Sequence, residues 1–311
     1  MTPIRNPIRG VILKLTSVLV FIAMLSMIKA VSGHIPAGEA VFFRSFLAIP
    51  VIVGWLAMQG DLAAGFRTNN PIGHLWRGVM GTTAMALGFA GLGYLPLPEV
   101  TAIGYASPIL CVIFAAMFLG EEVRAFRLAC VALGLTGVLI VVAPRLTILP
   151  GAIAGQAEAL GAMIVLGGAV FSALAQTFVR KLVSTEKTTT IVFWFSVTAT
   201  VLSLATIPFG WVMPSPREAA LLVIAGLLGG TGQILLTASY RGNEASLIAP
   251  FEYASMLFAL IIGYFVFGEE PTRVMLIGAA IVVLAGVLII LREHWLGIER
   301  ARSRTAVTPQ G

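Results

Sequence analysis

Charge is what this chain of 311 residues has least of. Charged residues make up 11% and hydrophobic residues 58%, where a soluble domain carries roughly 25% charge. Too few polar groups are present to cover a soluble core. Aspartate is almost missing: Asp61 is the only one. That argues against the acid-rich metal turns that a membrane-embedded lipid or isoprenoid transferase would need. His34, His74 and His294 are the only histidines, and each lies near the end of an apolar run. Cys111 and Cys130 are the only cysteines, both within apolar runs, and read as buried thiols rather than a disulfide or metal pair. Gly229-Gly230-Thr231-Gly232 lacks the lysine and the preceding strand of a phosphate loop, which argues against nucleotide hydrolysis. No nucleophile motif is visible. The sequence therefore predicts no cofactor, no metal and no enzymatic activity.

What the chain has is apolar length. Its mean hydropathy is +0.97, and runs of about 20 apolar residues recur from end to end, which makes the bilayer the solvent. Ten helices are expected, near 9–31, 36–58, 72–94, 97–119, 124–143, 157–180, 189–209, 217–238, 245–267 and 272–291. Helix is required because each backbone group in lipid must be satisfied within its own segment, and no β-barrel alternation is visible. Arg5, Arg9 and Lys14 precede the first run as in a signal peptide. That run continues to about Val31 without a clear cleavage site, so it reads as the first span. Net charge +6 is assigned to cytoplasmic loops rather than to nucleic-acid binding.

The chain repeats itself. Tyr105-Ala106-Ser107 and Gly120-Glu121-Glu122 recur 148 residues later as Tyr253-Ala254-Ser255 and Gly268-Glu269-Glu270. Gly137-Val138-Leu139 recurs as Gly286-Val287-Leu288 with one residue of slip. Self-similarity at half the chain length points to an internal duplication. The domains expected are a first repeat at 9–143, a linker at 144–156, a second repeat at 157–291 and a cytoplasmic tail at 292–311. With the N-terminus inside, fifteen cations fall on the cytoplasmic side and four (Lys29, Arg145, Arg217 and Arg273) on the outer side, with Arg44 left within a span. This bias puts both termini in the cytoplasm. Five spans per half is an odd number, so the halves are expected to be inverted about an axis in the membrane plane. The fold class predicted is an all-α integral membrane protein of ten transmembrane helices in two inverted five-helix repeats.

Each half ends in an apolar run, Gly-Glu-Glu, and a Gly-rich span closing on Gly-Val-Leu-Ile. This pattern resembles the EamA domain of the drug/metabolite transporter superfamily, over about 9–143 and 157–291. The resemblance implies a bacterial inner-membrane secondary carrier working by alternating access, with amino acids, nucleosides, vitamins or drugs as substrates. His34–Arg44 and Leu95–Tyr105 are similar to bacterial riboflavin importers, which makes riboflavin uptake the first substrate reading. Amino-acid and S-adenosylmethionine carriers share much of the pattern and stand as the alternative. A transferase, a channel or a flippase is the rival of another class. The halves depart from one another: Met256 stands where the first half has Pro108, and three extra residues separate Glu244 from Tyr253 relative to Glu99 and Tyr105.

Ionisable groups inside a span are costly and need a reason. Arg44 lies about two turns into the second span. It could pair with Glu39 and hold the bundle, or meet an anionic substrate group. Lys14, Lys29 and Arg77 read first as interfacial anchors whose stems snorkel. Trp194 reads as a member of an interfacial belt. Glu99 and Glu244 read as acids favoured by helix N-termini. Glu252 differs, because Pro250 beside it would break the ninth helix and leave the acid facing a cavity. Discontinuous spans near the midplane are where carriers bind, and a desolvated carboxylate there could take up a proton. The substrate pathway expected comprises Arg44, Tyr105, Ser107, Gln176, Gln233, Glu252, Tyr253 and Ser255. The partners expected are a small-molecule substrate, the lipid bilayer, a coupling proton and a second copy of the chain, and no nucleic acid. Gly88–Gly93, Gly161–Gly168 and Gly226–Gly232 are expected to supply small faces for close helix packing.

Overall fold

The computed structural model describes residues 7–60, 62–119, 125–146, 153–183, 185–240 and 248–306. Glu121-Glu122, residues 147–152 of the expected linker, Gly242 to Glu244 and the last five residues of the tail lie outside them. Among the described residues every regular element is a helix. They are α1 (Pro7–Val31), α2 (Ala37–Phe46), α3 (Ala48–Met58), the short α4 (Leu62–Phe66), α5 (Pro71–Leu92), α6 (Leu97–Gly104), α7 (Ala106–Leu119), α8 (Ala125–Leu146), α9 (Ile153–Leu182), α10 (Thr188–Leu204), α11 (Pro216–Tyr240), α12 (Ala254–Phe267) and α13 (Arg273–Ala306). A 3-10 turn follows α10 at Ile207–Phe209, and another precedes α12 at Ala249–Tyr253.

Eight of the ten expected spans are helices long and apolar enough to cross a membrane. The other two expected positions are helical but fall short. Thr188–Leu204 is apolar but has only 17 residues. Pro71–Leu92 has 22 residues but is diluted by His74, Arg77 and its glycines. Helix also runs past two expected ends. It continues through Pro144 to Leu146 in α8, where a proline in the last turn costs one donor, and α13 runs on to Ala306.

Three spans are interrupted, and proline accounts for two of the interruptions. A proline has no N–H for the carbonyl four residues before it. Pro50 leaves Phe46 without that partner, and α2 gives way to α3 at Leu47. Pro108 does the same to Gly104, and α6 gives way to α7 at Tyr105. In the second half the interruption is the 3-10 turn holding Pro250, whose tighter winding re-aims the side chains on either side.

The halves interlock. Counting α2–α3 and α6–α7 as one segment each and omitting α4, the segments run in two sets of five. The three most extensive contacts are α1 on α11, α5 on α9 and α8 on α13, and α2 packs on α10 and α6 on α12 as well. Exchanging the two sets turns α1–α11 into α9–α5 and returns each of the other three pairs to itself, so the contacts carry the twofold relation of a duplicated chain. Glycine lets the backbones meet. A Cβ on Gly137 would lie 2.8 Å from the Gly278 carbonyl, and one on Gly278 would lie 2.8 Å from the Gly137 carbonyl. Gly226 is pressed against the Phe43 carbonyl and Gly168 against that of Ala84, the small-face packing expected of these stretches.

Buried carboxylates tie the segment ends. Glu99, in the first turn of α6, accepts two hydrogen bonds from Arg145, at 2.6 and 3.0 Å, and Arg145 also binds Glu158. Glu269 pairs with Lys29 at 2.8 Å and accepts the Leu97 N–H at 2.9 Å. Lys29 in turn donates to the carbonyls of Leu92 and Leu95. This corrects the reading of Lys29 as a snorkelling anchor. Glu186, in the loop before α10, accepts from Thr68 Oγ1 and from the Asn69 and Asn70 N–H groups. Burial opposes its charge, but these hydrogen bonds and nearby His74 outweigh it and hold the carboxyl below its ordinary pKa.

Candidate functional site

The two helix interruptions that the duplication placed 148 residues apart meet in space. The rings of Tyr105 and Tyr253 lie edge to face with centroids 5.0 Å apart. Ser255 Oγ donates to the Glu252 carbonyl at 2.7 Å. Its lone pair is then left for the Tyr105 hydroxyl, which lies 2.6 Å away and donates. The same hydroxyl is 3.3 Å from the Tyr253 carbonyl. Two residues on from Tyr105, Ser107 Oγ accepts from Gln176 Nε2 of α9 at 2.8 Å. Five of the eight expected pathway residues thus form a strip with Glu252 in two hydrogen-bonded sets, Tyr105, Tyr253 and Ser255 in one and Ser107 and Gln176 in the other.

Glu252 carries the charge of that strip, and it is paired. Its carboxylate takes the Lys14 ammonium of α1 in an ion pair. The glutamate side chain is 51% exposed and the lysine 1%. Lys14 also lies over the Tyr240 ring of α11, 5.6 Å from its centroid. The reading of Lys14 as an interfacial anchor is therefore corrected. Seven residues into α1, about 10 Å from its end, it was within snorkelling reach, and only the fold reveals that it turns inward. The one available signal was arithmetic: an acid inside the ninth span needs a cation, and Lys14 is one of very few in the spans.

Arg44 lies elsewhere and does not pair with Glu39. Glu39 is buried and accepts the Val212 N–H at 3.1 Å. The Arg44 guanidinium instead faces the Phe195 ring of α10, 5.8 Å from the centroid. On the same ring, 3.9 Å away, lies Arg77 of α5, also turned inward rather than out to an interface. Trp194, half-buried, sits beside His74 and Phe193 with a buried indole N–H, so it belongs to the helix interface and not to a belt. Along α1, Arg44 is level with Met24 and the ion pair with Lys14, an offset of about 15 Å. Ser17 lies between, donating to the Gly232 carbonyl at 2.9 Å. Gln233, expected in the pathway, makes no side-chain hydrogen bond among the described residues. It lies one turn from Gly229, against which Arg44 packs. Glu244 lies outside the described residues. Cys111 and Cys130 are buried free thiols.

Such an arrangement suits the recognition and movement of a polar solute through an apolar bundle. The EamA-like transporter family model matches residues 8–143 and again 159–292. The chain is 29% identical over 277 residues to a pseudopaline exporter of Pseudomonas aeruginosa, covering 89% of this chain and 94% of that one. It is 28% identical to a riboflavin transporter of Rhizobium johnstonii, over 93% of this chain and 94% of that one. It is 27% identical to an S-adenosylmethionine uptake transporter of Rickettsia bellii, over 86% of this chain and 88% of that one. A solved crystal structure superimposes with a TM-score of 0.63 at 20% identity, over 92% of this chain and 98% of that one, a likeness of fold. This multi-pass membrane protein belongs to the EamA-like transporter family.

Proposed function

We propose that the chain is a secondary carrier of the bacterial inner membrane, moving a small metabolite by alternating access with proton coupling. Its repeats would be 9–143 and 157–291, inverted, joined by 144–156 and followed by a tail at 292–311, with ten crossings and both termini in the cytoplasm. The observation that carries this reading is the Lys14–Glu252 ion pair at the interrupted span of the second half. A half-exposed acid next to a buried cation can exchange its partner for a proton as solvent reaches it from either side. The pathway would run from Arg44 past Gln233 to Glu252, with Tyr105, Ser107, Gln176, Tyr253 and Ser255 lining its second end.

Riboflavin uptake is the first substrate to test, supported by relatives in Rhizobium johnstonii and Vibrio cholerae that are named riboflavin transporters. The second reading is a carboxylate-bearing metabolite, amino acids among them. It is favoured by the two inward arginines, and it includes S-adenosylmethionine, whose methionine end carries a carboxylate and whose uptake transporters are among the relatives. The test is counterflow in proteoliposomes preloaded with unlabelled solute. A carrier gives saturable, trans-stimulated uptake of one of these solutes. Flux that never saturates and shows no exchange would make the chain a channel. A reporter fused after Gly311 is expected to behave as cytoplasmic, and periplasmic activity would overturn the inverted topology.

A further inference from the structure

The buried polar atoms left without a hydrogen bond are not scattered. Among the described residues there are nine on side chains, and all belong to α2, α5 and α10: Arg44 Nε and Ser45 Oγ, His74 Nδ1 and Nε2, Arg77 Nε and Nη1, Thr82 Oγ1, and Thr189 Oγ1 with Trp194 Nε1. These three helices pack on one another. Most of the nine are donors, and three belong to guanidinium groups. A buried donor without an acceptor loses its hydration for nothing in return, so a cluster of them marks the place of an absent acceptor.

Arg44 and Arg77 share the Phe195 ring, and among the described residues neither has a carboxylate within ion-pair distance. Arg44 is only 7% exposed. An aromatic face offsets part of a cation's desolvation but cannot neutralise it. Elsewhere in this chain the interior cations are answered: Lys14 by Glu252, Lys29 by Glu269 and Arg145 by Glu99. Room has also been kept for both guanidinium groups. A Cβ on Gly81 would fall 2.2 Å from Arg77 Nη1, and one on Gly229 would fall 3.1 Å from Arg44 Nε. The sequence thus holds two uncompensated charges inside a bundle where unpaired charge is expensive.

We propose that Arg44, Phe195 and Arg77 form an oxyanion subsite that receives a carboxylate or phosphate group of the transported solute. This rests on the carrier reading, and it names the chemical class of the cargo. Guanidinium forks match carboxylate and phosphate oxygens in geometry as well as charge. Both forks lie on the Phe195 ring, and the same three helices carry further buried donors without partners, among them the Trp194 N–H and the Thr82 hydroxyl. The anion would balance the charge only while bound, so the empty site disfavours closure and the loaded site permits it.

The purified full-length protein in detergent is unfolded by heat with glutarate, inorganic phosphate or neutral glutaramide at matched ionic strength. Glutarate or phosphate is expected to raise the unfolding temperature by about 3 °C over glutaramide. The stronger of the two names the oxyanion. The shift is lost in Arg44→Gln and Arg77→Gln and kept in Arg273→Gln, an exposed arginine. A readout that needs no variant is phenylglyoxal modification of the wild type, mapped by mass spectrometry. The effective anion is expected to slow modification at Arg44 and Arg77 by about threefold. Equal unfolding temperatures and equal modification rates with all three solutes would overturn the subsite, as would a shift that survives both substitutions. Counterflow is scored separately. Exchange without any anion effect removes the subsite and leaves the carrier, whereas an anion effect without exchange removes the carrier reading alone.

Discussion

At the first interruption Tyr105 follows α6 with φ −67° and ψ −8°; at the second Tyr253 precedes α12 with φ −69° and ψ −10°. The duplicated backbone has kept its shape at both tyrosines, and each is followed by Ala-Ser. Their surroundings have not been kept. The first interruption is made by Pro108, three residues after its tyrosine, and is closed by a neutral Ser107–Gln176 hydrogen bond. The second has Pro250 three residues before its tyrosine, winds as a 3-10 turn, and carries Glu252 against Lys14. Moving the proline across the tyrosine put an acid on the tight turn, where the first copy has none. Symmetry therefore supplies the framework, and the chemistry is concentrated on one side of it.

Substitutions can break this comparison. The largest effect is expected from Glu252→Leu, which leaves Lys14 buried and unpaired at a cost of about 3 kcal/mol. Pairing it with Lys14→Met should restore most of the lost stability, read as unfolding temperature in detergent. If the double variant is no more stable than the single one, the ion pair is not what holds the second interruption. Next comes Gly286→Ala. Its new Cβ would meet the Tyr253 ring, and overpacking of this kind costs about 1–3 kcal/mol. Slower transport with unchanged expression should accompany it. Tyr105→Phe removes the hydroxyl that binds Ser255 and should cost about 1 kcal/mol, whereas Tyr253→Phe, whose hydroxyl makes no such bond among the described residues, should cost less. Equal losses would mean that the tyrosines are equivalent after all. The smallest change is expected from Ser107→Ala, which leaves the exposed Gln176 free to find water. Measured transport should stay within about twofold of wild type.

The repeat, the helical class and the weak point at Pro250 could be read from the sequence because each has a one-dimensional signature: an offset, a hydropathy run, a missing N–H. Tyr105, Tyr253, Ser255 and Glu252 were singled out on those grounds, and the fold brings them together. Partner choice left no such trace. Glu39 lies five residues from Arg44, the spacing that suggested a pair, yet it binds the Val212 N–H, contributed by the loop before α11. Lys14 and Glu252 are 238 residues apart, and Arg44 and Arg77 meet on a phenylalanine of a third helix. Side chains long enough to snorkel are long enough to turn inward, and only the helix contacts decide which they do. The two expected spans that fell short, at Pro71–Leu92 and Thr188–Leu204, carry Arg77 and Phe195. Their lower apolarity or length fits helices that face the polar interior as well as lipid.

The most direct test compares net uptake driven by a pH gradient with homoexchange at equal pH, for wild type and Glu252→Gln in the same proteoliposomes. Glutamine keeps an acceptor for Lys14 but cannot carry a proton. The account predicts that Glu252→Gln loses gradient-driven accumulation while exchange persists. Accumulation at the wild-type level, with the wild-type dependence on pH, would contradict it.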